Sequence, residues 1–119
     1  MSNAHWTPAF DGSTLGQMGE AGAVIVQDEA LQDEVLGERA RLTLEEDPSR
    51  GLHAVTYAVS GWLLHTRYLA DAAAARDALE QLRGALESLL TQLPAEGAGS
   101  DEARREAGPL LARFLTRFS

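Results

Sequence analysis

After Asp71 the chain runs Ala72-Ala73-Ala74-Ala75-Arg76 and then sets Leu79, Leu82, Leu86, Leu89 and Leu93 at alternating steps of three and four, up to Pro94. A 3.5-residue apolar period is a helix seam, so the spacing predicts one helix over 71–93, capped by Asp71 and stopped by Pro94. At 1.5 Å per residue such a helix is roughly 35 Å long, about the width of a small domain. Its seam needs a partner along its whole length. That partner is either the rest of the chain or, through Leu79 and Leu86 together with Trp62, a second copy in a homodimer.

What precedes the helix reads as strands. Ala21 to Val26 is a short apolar, β-branched run that ends at the polar Gln27-Asp28-Glu29 and suits a first strand. Residues 30–37 are ambiguous, since Ala30, Leu31, Glu34 and Val35 also fit a helical turn before Gly37. Arg39 to Glu45 alternates polar and apolar, the pattern of a strand with Ala40, Leu42 and Leu44 inward. Glu46 to Gly51 is a turn, with Pro48 and Gly51 supplying the fixed and the permissive φ. Ser60-Gly61 then lies between two runs rich in β-formers, 54–59 and 62–69, and a two-residue hairpin fits. That register pairs Tyr57 with Leu64 and His53 with Tyr68 on one face, and Thr56 with His65 and Ala54 with Arg67 on the other. A single long helix over 62–93 is the competing reading. The leucine register fails before Asp71, which argues against it.

Beyond the small-residue linker 95–100, Ser100 caps a last helical region with Asp101 and Glu102 in its first turn and Arg113 and Arg117 near its end. Pro109 either kinks this helix or starts a second one. At the other end, His5 to Gly19 is loop-like, with Trp6 and Phe10 expected to anchor it. Ser2-Asn3-Ala4 reads as the scar of a cleaved tag, although the Met in front leaves a native start open, and residues 1–4 are set aside. Strands first and helices second predict a single α+β domain over 5–119. Its architecture is an antiparallel meander of about three or four strands with the two helices packed on one face.

Composition narrows the chemistry. There is no Cys, and all ten basic residues are Arg. Thiolate nucleophiles, disulfides, Cys-ligated metals, Schiff bases and the P-loop lysine are therefore excluded. An Arg-only basic set with abundant Ala, Leu and Gly points to a GC-rich bacterial genome. Without a basic-then-apolar leader or a span-length apolar run, the expected location is cytoplasmic, with no membrane partner. The net charge of -8 is concentrated in 20–47, which holds nine acids against Arg39 and Arg41. Such a surface repels phosphate backbones, which makes nucleic acid an unsuitable partner and a basic protein a suitable one. Asp28, Glu29, Asp33, Glu34 and Glu38 are the expected contacts.

No catalytic constellation stands out. Gly12, Gly16 and Gly19 do not follow a strand and open a helix, as a phosphate loop requires. The acids at 28–34 lack the alternating ligands and fixed glycine of a calcium loop, so neither a metal nor a cofactor is expected. None of Ser13, Ser49 and Ser60 sits in a nucleophile elbow. The reading is a self-associating, non-enzymatic interaction module. The alternative is a small enzyme or anion-binding domain using His65, Arg67 and Thr56 as a cluster on one hairpin face.

Overall fold

A computed structural model describes residues 4–94 and 97–119. The chain forms β1 (Ala4–Pro8), a 3-10 turn (Ala9–Gly12), β2 (Val24–Asp33), β3 (Gly37–Asp47), a second 3-10 turn (Pro48–Arg50), β4 (Leu52–Val59), β5 (Leu63–Leu69), α1 (Ala72–Gln92) and α2 (Asp101–Arg117). The strands pair in chain order as one antiparallel meander, with β1 and β5 at its edges. The α+β class and the order of elements are as expected. The sheet has five strands because part of the N-terminal arm, expected as loop, pairs with β2 as β1. Trp6 packs against the core as an anchor should. Phe10 does not: it is exposed and lies over the Arg41 guanidinium at 4.9 Å.

Both helices cover the same face of the sheet. Leu79, Leu82, Leu86, Leu89 and Leu93 close over Leu31, Ala40, Leu42, Leu44, Val55, Tyr57 and Val59 to form the core. Burying apolar side chains of this size stabilises the fold by about 2 kcal/mol each. The Asp71 carboxylate accepts the Ala74 N–H at 2.8 Å, and Ser100 Oγ accepts the Ala103 N–H at 3.0 Å, so both predicted caps form. α2 runs unbroken through Pro109. Its last turns reach back to β4, where Tyr57 Oη donates to the Phe118 carbonyl at 2.9 Å and Phe114 meets the Tyr57 ring edge-on. Burial pushes the Tyr57 phenol up in pKa, against the pull of Arg67, which keeps it a proton donor.

Three departures from simple alternation decide which residues face where, one of them a second shift of the β2–β3 pairing between Leu31 and Gln32, next to Glu38. In β2 the pairing skips Val26, so Ile25 and Asp28 share one face while Gln27 and Glu29 share the other. The apolar run ends at this bulge, and the strand continues past it. Residues 27–33 carry the strand on, not a helical turn. At the β4–β5 hairpin the loop has three residues, Ser60 to Trp62, and Gly61 sits at φ 77°, a conformation that favours glycine. Val59 therefore pairs with Leu63 and Tyr57 with His65, one residue away from the two-residue register. That slip turns every β5 side chain to the other face.

Among the described residues no helix is long and apolar enough to cross a membrane.

Candidate functional site

The hairpin slip dissolves the expected cluster. Thr56 now pairs with Thr66 on the face without helices, their hydroxyl oxygens 2.8 Å apart. His65 and Arg67 lie on the helix-covered face. The His65 ring is 5.6 Å from that of Tyr57, and the Arg67 guanidinium is 6.0 Å above Phe118. His53 and Tyr68 are separated in the same way: His53 pairs with Leu69 and has Nδ1 2.6 Å from Glu46 Oε2, while Tyr68 pairs with Ala54. Leu79 and Leu86, expected at an oligomer interface, are 2% and 0% exposed in the core and have no surface to offer. Trp62 packs half-buried against that core at the hairpin loop.

The opposite, uncovered face holds the polar architecture. Residues 9–23 fold back over one side of it, tied to β2 by Gly16 N–H to the Ile25 carbonyl (2.8 Å) and Ile25 N–H to the Gln17 carbonyl (2.9 Å). Beneath this flap Asp28 is 3% exposed yet fully satisfied. Arg41 donates to it twice, at 2.9 and 2.6 Å, Thr14 at 2.8 Å and Thr43 at 3.0 Å. Burial alone would raise the Asp28 carboxyl. The bonds from Arg41 and the two threonines, with the Arg41 charge, outweigh it and hold the group below its ordinary value. The Asp28 bond is in turn the main reason Arg41 holds its proton more firmly than usual, and Glu38 and Glu20 add to the effect through their charge.

Glu45 is the second buried carboxylate, 1% exposed. It accepts the backbone N–H of Ala21 at 3.0 and 3.2 Å and of Ala23 at 3.3 Å, so it pins the flap to β3. Gly19 makes this possible: a Cβ there would lie 2.2 Å from the Glu45 carboxyl carbon. At the start of the flap, Phe10 and Asp11 hold left-handed φ values of 49° and 54°, which cost about 1 kcal/mol each in non-glycine residues.

Between flap and sheet lies an open concavity of about 490 Å³, in the size range of small-ligand sites. Met18, Ile25, Ala58 and Leu64 give it apolar walls, and Thr43 and Thr56 contribute hydroxyls. Its charged lining is Glu20, Asp28, Glu38 and Glu45 against the single Arg41. Since Asp28 and Arg41 neutralise each other, three carboxylates remain in excess.

The acidic segment as a whole is less available than its sequence implies. Asp28 is buried. Glu29 pairs with Arg83 of α1, and Glu46 with His53 and Arg76. Asp33 accepts the N–H groups of Val35 and Leu36 at the β2–β3 turn, and Asp47 holds Ser49 and Arg50. Of the five expected partner contacts, Glu34 at the turn and Glu38 at the concavity are exposed. Sequence reading missed Arg41, Thr43, Glu45 and the flap glycine. The outward alternation Arg41-Thr43-Glu45 was the available signal, but it reads equally as a solvated face until the β2 bulge sets Asp28 beside it. Compared with protein-family models, with curated proteins and with solved structures, the chain matches none.

Proposed function

We propose that the protein is a non-enzymatic interaction module of a bacterial cytoplasm that receives a cationic, amphipathic group of a basic partner in the open-face concavity. The observation that carries this reading is the excess of three carboxylates over apolar walls. A guanidinium or ammonium on a hydrocarbon stem matches both halves of that lining: the head meets Glu20 and Glu38, and the stem lies along Met18, Ile25 and Leu64. Arg41 is a poor anion receptor, because Asp28 already occupies its fork. The threonine hydroxyls are likewise engaged with Asp28 and with Thr66, and the lining contains no imidazole to act as a base. Phosphate-bearing ligands, nucleic acid included, meet the wrong sign of charge.

Calorimetric titration with a short peptide alternating Arg and Leu tests the reading. The chain should bind it, the E20Q/E38Q variant should lose at least about tenfold in affinity, and high salt should weaken binding of the parent protein. Equal affinity in the parent and the double variant would overturn it.

A further inference from the structure

The two edges of the sheet are built differently. β1 has five residues, ends in Pro8, which has no N–H to offer, and leads straight into the left-handed turn at Phe10 and Asp11. β5 has seven residues in unbroken register with β4 and contains no proline, bulge or lysine. Its one permanent charge, Arg67, is turned to the helix face over Phe118. Leu64 and Tyr68, both 66% exposed, stand on the open face two residues either side of Thr66. A row of backbone N–H and C=O groups left unpaired along an edge is a template for the addition of another strand.

We propose that this strand is a second copy of β5, paired antiparallel about a two-fold axis at Thr66. The β5 sequence matches itself about that residue at its apolar positions, and on the helix side the pairing sets His65 opposite Arg67 of the partner subunit. Leu64 then faces Tyr68 of the partner subunit, Leu63 faces Leu69 of the partner subunit, and Thr66 faces Thr66 of the partner subunit, each pair on one face as antiparallel pairing requires. A two-fold at Arg67 would set that guanidinium against its own copy. One at His65 would put Thr66 opposite Leu64 and forfeit the Leu–Tyr contact. The pairing at Thr66 joins two sheets into ten strands with both open faces on the same side. It also borders the site: Leu64 is a wall of the concavity, so the pairing brings Tyr68 of the partner subunit to that wall. The dimer is independent of the concavity's ligand, so the two proposals fail separately.

Light scattering on the full chain without added ligand tests it. The expected mass is twice that of one chain, and a monomer at NMR concentrations would overturn the proposal. T66R and T66E each place like charges across the axis and should halve the mass, with circular dichroism showing the fold intact. Mixed in equal amounts, the two variants should recover the doubled mass, since opposite charges then face each other. A dimer that persists in T66R alone lies on another surface and would also overturn it. Should the substitutions unfold the chain, T66C provides the alternative arm. In a protein without cysteine it should give a single covalent dimer under oxidation, and failure to cross-link would count against the pairing.

Discussion

One sheet presents two faces that are stabilised by different physics. The helix-covered face is sealed mainly by apolar side chains, so most of its energy is spread over many packing contacts, with the Tyr57–Phe118 bond and the Glu46–His53 pair as its polar additions. The open face contains two buried carboxylates, each of which must be satisfied from sequence-distant positions: Asp28 from Thr14, Arg41 and Thr43, and Glu45 from Ala21 and Ala23. A hydrophobic face tolerates error gradually. A buried charge is either fully paired or strongly destabilising, and that contrast is why the flap, its glycine and the concavity stand or fall together.

The contrast can be broken first at its strongest points. Leu86→Ala, at a site with no exposure, should cost about 3 kcal/mol by leaving a cavity, seen as a lower denaturant midpoint with the slope unchanged. Asp28→Ala should cost about as much, roughly 3 kcal/mol, because it strands Arg41, although the 29% exposure of that side chain lets water recover part of the loss. The two differ in their pH dependence. Asp28 has its pKa depressed in the folded state, so its contribution is complete above its ordinary value of 3.8 and fades as pH falls through the lower folded value. Acid titration of stability should therefore show a fall in the parent and in Leu86→Ala that is reduced in Asp28→Asn. A parallel fall in all three proteins would place the acid sensitivity elsewhere.

Smaller effects sharpen the picture. Tyr57→Phe removes the bond to the Phe118 carbonyl and should cost about 1 kcal/mol, read by chemical denaturation. Asp11→Gly should act in the opposite sense and stabilise by up to about 1 kcal/mol, because glycine accepts the left-handed φ that Asp11 is forced to hold. Its failure to stabilise would mean that contacts at Asp11 outweigh the backbone cost.

The same contrast explains what was legible in the chain. The leucine period, the caps at Asp71 and Ser100 and the alternation of Ala40, Leu42 and Leu44 are local patterns, and the helix-covered face could be assembled from them. The open face depends on register. Asp28 meets Thr43 only because Val26 bulges out of β2, and Thr56 leaves His65 only because the hairpin takes three loop residues instead of two. One residue of register moves a side chain to the other face, and neither shift is marked by composition. Glycine at 61 was consistent with both loop lengths, so the hairpin itself was readable while its pairing was not.

An NMR titration with n-hexylammonium chloride tests most directly the proposed role of the open face as a receptor for a cationic, amphipathic group. Amide shifts should concentrate at Met18, Glu20, Glu38 and Leu64 around the concavity, and they should vanish in the E20Q/E38Q variant. Shifts spread evenly over the exposed acids, Glu34 and Asp101 among them, or no shifts at all, would contradict it.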